Sequence, residues 1–331
     1  MSMAPAEGDR QATRAAVWAR HWASGSPHSC AGSYGATYGG AVAAFWRGVL
    51  AEVAPGARTL DLATGAAALP RLFLELAPQH GLAIEAVDLA PAAPAWLEAS
   101  AIPTSGIRYQ GGVSIEALPF ADDHFDLVVS QYGLEYAGIA ARHEARRVMA
   151  RQGRAAFVLH HRDARPVQLA DVELAHLAWL QAAEGLLPAA RDMVEPLARA
   201  FTPAGRASLA NDRDAQARRE RFNAAQGRLA SRLDQARDGG DVLQEVRQAV
   251  MQILSVARER GDGAVAMTHL AQLETQLQDH SWRLDELRRC ALDHDGVAAL
   301  AQQVAHDHQA PRISTVMEGQ HLMGWGVVIG T

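Results

Sequence analysis

Polar and apolar positions divide the chain into stretches of three kinds. Between Arg58 and Leu159, short apolar runs alternate with helix-spaced ones. Thr59-Leu60-Asp61-Leu62, Ile84-Glu85-Ala86-Val87-Asp88, Phe125-Asp126-Leu127-Val128-Val129-Ser130 and Ala155-Ala156-Phe157-Val158-Leu159 read as strands. The last is apolar throughout, as a strand covered on both faces should be. Leu69, Leu72, Phe73 and Leu76 recur at helical spacing between the first two. Such alternation predicts an α/β domain with a mainly parallel sheet and helices on both faces.

From Arg165 to about Gln309 the strand signals stop. Phe222, Leu229, Leu233 and Ala236 form one helical stripe. Leu243, Val246, Val250, Ile253 and Ala257 form a second, and Leu273, Leu277, Leu284 and Leu287 a third. Breaks fall near Thr202-Pro203, Gly239-Gly240, Gly261-Asp262-Gly263 and Asp293-His294-Asp295-Gly296, so helix-hairpin packing is expected. The tail returns to strands, with Ile313 to Met317 and His321 to Ile329 an antiparallel pair about Glu318-Gly319-Gln320. Before the sheet, a helix over 9–23 carries Val17, Trp18 and Trp22. A small-residue loop follows, then a helix from about Tyr38 to Val53.

The sheet is organised around Thr59 to Pro70, a strand, a turn and a helix start. Thr64 to Ala68 carries no bulky side chain, so the backbone there can lie against a ligand. The following helix points its free N–H groups and positive dipole end back at that turn. Asp61 places a carboxylate at the end of the strand, where it would repel a pyrophosphate and hold an ammonium group. Asp88 ends the second strand about twenty residues beyond Gly65, where an open α/β sheet places the acid that accepts ribose hydroxyls.

Leu60-Asp61-x-x-x-Gly65, Val87-Asp88, Glu116-Ala117-Leu118-Pro119-Phe120 and Phe125-Asp126-Leu127-Val128-Val129-Ser130 together form a series. It resembles the class I S-adenosylmethionine-dependent methyltransferases, nearest their small-molecule, quinone-biosynthesis-like group. Glu144-x-x-Arg147-Val148-Met149-x-x-x-Gly153 and Gly324-Trp325-Gly326-Val327-Val328 extend the resemblance, which covers roughly residues 30–162 and 312–330. It implies a Rossmann-like sheet of seven strands, the last antiparallel, with a large all-helical insertion between strands five and six. The implied organisation is a helical lid over 1–57, a cofactor domain over 58–164 and 311–331, and an insertion over 165–310. The insertion would cap the substrate, form a homodimer surface, or both.

By the same resemblance, Asp61 faces the methionine ammonium of S-adenosylmethionine, and Ala63 and Gly65 let the backbone approach it. Asp88 and Leu89 lie at the ribose, Ser114 and Ile115 beside the adenine, and Gln131 near the methionine end. Tyr34 and Tyr38 come from the N-terminal region. The loop after the fourth strand faces the transferred methyl, making Tyr132, Glu135, His160 and His28 the candidate orienting groups or bases. His160 and His161, adjacent at a strand end, point opposite ways, so at most one faces substrate. The sequence departs from the family at Ala63 and Ala67, where glycine is usual, and at Ser114, where an acid is common. A positive φ at Ala67 would cost about 1–2 kcal/mol, so ordinary helical dihedrals are expected there.

Composition narrows the reading only a little. The chain has 331 residues and a net charge of −6, which argues against a nucleic-acid substrate. Arg supplies all the basic residues, since Lys does not occur. Cys30 and Cys290 make neither a disulfide framework nor a zinc site, and no histidines stand at ligand spacing, so no metal is expected. No apolar run approaches a membrane span, and the expected location is cytoplasmic. The leading expectation is methyl transfer to a small-molecule O, N or C nucleophile by in-line displacement. The alternative is a regulatory or scaffolding protein that binds the cofactor without turnover. A nicotinamide oxidoreductase would need a Gly-x-Gly-x-x-Gly turn, which Gly65-Ala66-Ala67-Ala68 does not supply.

Overall fold

The computed structural model describes residues 7–28, 38–99 and 106–330. The chain forms two compact units, Met1–Val167 with Arg289–Thr331, and Gln168–Arg288. The elements run α1 (Glu7–Ala23), α2 (Gly40–Leu50), β1 (Arg58–Leu62), α3 (Ala68–Leu76), β2 (Ala83–Asp88), α4 (Trp96–Ala99), β3 (Ile107–Gly111), β4 (Phe125–Gln131), α5 (Ile139–Val148) and β5 (Met149–Leu159). After these come α6 (Arg165–Gln181), α7 (Leu186–Arg199), α8 (Pro203–Leu209), α9 (Arg213–Gln235), α10 (Asp241–Arg260), α11 (Gly263–Cys290), α12 (His294–Val304), β6 (Arg312–Glu318) and β7 (His321–Ile329).

One seven-stranded sheet has the order β3-β2-β1-β4-β5-β7-β6. The pairs from β3 to β5 are parallel, and β7 is antiparallel to both β5 and β6. This is the Rossmann-like arrangement expected, with the helical series between β5 and β6. The chain leaves β1 in opposite directions towards β2 and β4, so the sheet's switch point, and the cleft such a point creates, lies beyond the carboxyl ends of these strands.

The central strands alternate strictly between two buried faces, as the pleat requires. Val128, Phe157 and Leu159 pack with Ala141 and Val148 of α5 and with Val297, Leu300 and Val304 of α12. Leu127, Val129, Ala156 and Val158 pack with Val42, Trp46 and Leu50 of α2 and with Leu69, Leu72 and Phe73 of α3. The strand β3 carried no pattern signal. Its Arg108, Tyr109 and Gln110 sit on an edge where nothing demands apolar alternation.

One expectation changes here. The sequence predicts one insertion over 165–310, yet the helical unit spans only Gln168–Arg288. The residue stripe of α12 is wholly buried on the sheet, and Arg142 donates to Gln303 at 2.8 Å from the neighbouring α5. Amphipathic spacing reports that a helix has a buried face, not which core receives it. The helical unit has its own core, where Leu187 and Val194 of α7 meet Leu229 of α9, Leu243, Val246 and Val250 of α10, and Leu270 and Leu277 of α11. Among the described residues, no helix is long and apolar enough to cross a membrane.

Candidate active site

The turn after β1 is held by hydrogen bonds to the end of β2. Thr64 donates its N–H to the Val87 carbonyl at 2.9 Å, and Gly65 donates to Asp88 Oδ2 at 2.7 Å. Asp88 Oδ1 takes the Ala90 N–H at 2.8 Å, and the Trp96 indole donates to the Ala66 carbonyl at 2.7 Å. These bonds force an alternating backbone. Ala63, Gly65 and Ala67 all lie in the left-handed region, with φ of 53°, 57° and 54°. The expectation of ordinary helical dihedrals at Ala67 is therefore overturned. Each alanine bears a penalty of about 1–2 kcal/mol, which glycine would avoid. The Ala67 methyl, 0% exposed, offsets part of that through burial worth about 0.8 kcal/mol.

Beyond these strand ends is a cleft open to solvent. It is lined by Asp61, Ala63, Gly65, Asp88, Leu89, Ser114, Ile115, Gln131, Tyr132 and His28 of the expected residues. Tyr34, like Cys30, lies outside the described residues. Glu135 and His160, expected to face the acceptor, are not in the lining. They stand one layer back, 5% and 1% exposed, with the Tyr132 ring stacked on His160 at 4.3 Å and Tyr136 edge-on to it at 5.9 Å. Glu135 Oε1 accepts the His160 backbone N–H at 2.8 Å, so the acid ties the loop after β4 to the end of β5. The neighbour His161 does turn the opposite way, stacking on Trp325 at 4.2 Å.

Several lining residues were not expected. Gln11, Arg14, Trp18 and Trp22 of α1 form one side, with Thr64, Glu116 and Tyr136. Glu116 accepts from Gln11 at 3.2 Å and from the Gly138 N–H at 2.8 Å, joining α1 to the loop before α5. Two tryptophans four apart on a helix were the available signal, but that spacing equally suits packing. Trp46 was also missed as an orienting group. Its indole N–H donates to Gln131 Oε1 at 2.6 Å, which settles the amide's orientation and leaves Nε2 buried without a hydrogen-bond partner.

The electrostatics of the cleft are dominated by two sequestered acids. Burial pushes the Asp61 carboxyl up to about 8, against the Thr64 hydroxyl bond and with a further rise from the charge of Asp88. Thr64 donates to Asp61 Oδ2 at 2.5 Å, while Oδ1 is buried with no hydrogen-bond partner. Burial also raises Asp88, opposed by the N–H groups of Ala90 and Gly65. Behind the wall, burial pushes Glu135 up to about 7 and His160 down to about 3. Both are thus neutral between about pH 3 and pH 7, and His160 is no base poised at its ordinary value. Among the described residues no cluster of His, Cys, Asp or Glu could hold a metal ion.

A switch-point cleft, a small-residue turn and two acids ending adjacent strands suit a cationic nucleoside. The orphaned Asp61 Oδ1 is an acceptor for an ammonium, and the Gln131 amide is a donor without a partner. Residues 60–157 match the family model described as Methyltransferase domain. The match covers fewer than half of the residues and supports, for this part of the chain, a methyltransferase domain of the class I S-adenosylmethionine-dependent kind, with S-adenosylmethionine as the cofactor. None of the curated proteins matches the chain. Among solved structures, it is similar to the YcgJ protein of Bacillus subtilis, with 26% identity, 40% of this chain and 57% of that one covered, and a TM-score of 0.31. It is also similar to the 1,6-didemethyltoxoflavin-N1-methyltransferase of Burkholderia thailandensis, with 17% identity, 49% and 67% covered, and a TM-score of 0.39. The chain spans little more than half the length of the first solved structures it matches, at 57% and 54%.

Proposed function

We propose that the protein transfers the methyl group of S-adenosylmethionine to an O, N or C nucleophile of a small molecule. The observation that carries this reading is the pairing, in one cleft, of a buried unpartnered carboxylate oxygen on Asp61 with a buried unpartnered amide donor on Gln131. These groups are complementary to the ammonium and carboxylate of an amino acid. S-adenosylmethionine supplies an activated methyl on a sulfonium, so the protein's task is positioning and exclusion of water.

Asp61 Oδ1 holds the ammonium group, and Gln131 Nε2, aimed by Trp46, donates to the carboxylate. Each Asp88 oxygen has one backbone N–H bond and a lone pair left for a ribose hydroxyl. Leu89, Ser114 and Ile115 flank the base. Tyr132 and His28 touch the acceptor side directly, while Glu135 and His160 act from behind by holding the loop that carries Tyr132. Positioning of this kind can lower a barrier by about 7–11 kcal/mol without a dedicated base. The test is calorimetric titration of the purified chain with S-adenosylhomocysteine, followed by transfer of labelled methyl into a panel of small hydroxyl, amine and carbon acceptors. Binding that is weakened by substitution of Asp61 is the expected result. Folded protein with no affinity for S-adenosylhomocysteine would overturn the proposal.

A further inference from the structure

Gly65 carries no Cβ, and the methyl-transfer reading gives that bare backbone to the cofactor. In this structure another group already lies on it. A Cβ added at Gly65 would stand 2.6 Å from Cζ2 of Trp22 and 3.0 Å from its Cε2, so the indole rests directly on the glycine, which is buried. Carbon atoms in contact sit about 3.5–4.0 Å apart, so no ligand atom fits between the ring and the turn. Trp22 is also tied to its own helix. Its ring stacks on Trp18 at 5.2 Å and 22° and meets His21 at 4.7 Å, while Trp18 meets Tyr136 edge-on at 6.1 Å. Clearing the turn keeps the stack with Trp18 only if α1 moves with the ring.

We propose that α1 is an autoinhibitory gate: S-adenosylmethionine enters by displacing Trp22 from Gly65, and the helix swings away as a unit. The proposal rests on the methyl-transfer reading, which assigns Gly65 to the cofactor. The helix is built to yield. Of residues 10–23 only Val17 is buried, and an element with so little buried surface opens at far lower cost than the core. Beyond Ala23 the chain turns at Gly25, with φ of 83° and open space where a Cβ would stand. The next fixed point is His28, buried against the Tyr38 ring at 4.4 Å. Residues 24–27 therefore form the hinge, a few loop positions that absorb the change in φ and ψ. The closed helix competes with the cofactor, so apparent affinity is the intrinsic affinity multiplied by the open fraction. An open form populated at about a tenth weakens binding about tenfold.

The test is calorimetric titration of the full chain with S-adenosylhomocysteine, wild type beside Trp22→Ala and Val17→Ala. The first variant removes the ring that covers Gly65. The second leaves the cleft lining untouched and weakens only the buried anchor of the helix. Both are expected to tighten binding about fivefold or more, because both raise the open fraction. Unfolding of α1 in either variant gives the same gain, since an unfolded helix covers nothing. In wild type, amide hydrogen exchange over 10–23 should become faster on saturation with S-adenosylhomocysteine. A ring that packs on the bound nucleoside gives the opposite signs: weaker binding by Trp22→Ala, no gain from Val17→Ala, and slower exchange. Failure of either variant to tighten binding, or slower exchange in α1, would overturn the gate alone. No binding by wild type or by either variant would strike the methyl-transfer reading and the gate with it.

Discussion

Asp61→Asn is the substitution whose consequences are most sharply constrained. The wild-type carboxyl is buried, accepts one bond from Thr64, and sits near 8 instead of the ordinary 3.8. Asn preserves the shape and can still accept from Thr64, but removes the charge. The folded state holds its proton to higher pH than the unfolded chain does. Stability is therefore lost as pH rises from about 4 to about 8, a loss on the order of 5 kcal/mol once complete. The variant should accordingly match wild type near pH 4 and exceed it above pH 8, by denaturant unfolding without added ligand. Cofactor binding should move the other way. An ammonium group prefers the ionised acid, so wild-type affinity for S-adenosylhomocysteine should fall about tenfold per pH unit below 8, with a proton released on binding. The variant should bind more weakly at pH 8 and show no such slope. Calorimetry in buffers of different ionisation enthalpy reads both the slope and the proton count. A flat affinity between pH 6 and 8 in wild type, or a slope kept by the variant, would refute the assignment.

Other substitutions test the rest of the site. Asp88→Asn should lower S-adenosylhomocysteine affinity at least about tenfold and also lower the melting temperature, because the carboxylate takes two backbone N–H bonds worth about 1.5–3 kcal/mol each. Ala67→Gly should leave stability unchanged or slightly raised; a loss of about 1 kcal/mol, ordinary for this exchange in a buried helix, would contradict the left-handed conformation. At Gly133, an added Cβ would lie 2.8 Å from the Ala63 Cβ, so Gly133→Ala should cost about 1–3 kcal/mol, with part recovered by Ala63→Gly in a double-mutant cycle. His160 is held near 3 by burial, so wild type should lose stability as pH falls from 6.5 towards 3. His160→Gln should flatten that decline in acid unfolding curves; an unchanged curve would place the histidine in contact with water.

The parallel sheet, its strand ends and the acids there were legible in the chain because each is a local fact. Apolar runs identify the central strands, and Asp61 and Asp88 each end one, so both had to reach the switch-point edge. The same locality explains the helical stripes of α9 and α10. What tertiary structure alone decided depends on partners distant in sequence. The polar β3 is a strand because β2 offers it an edge, and α12 belongs to the sheet because α5 and the strands leave it a place. Ala67 adopts a left-handed conformation because Gly65 and Thr64 are bonded to the end of β2, overriding the local preference of alanine. Glu135 and His160 withdrew behind Tyr132 for a related reason. Residue type and position near a strand end do not say which side chain meets the cleft and which supports the one that does; only the packing of the loop after β4 against the end of β5 makes that choice.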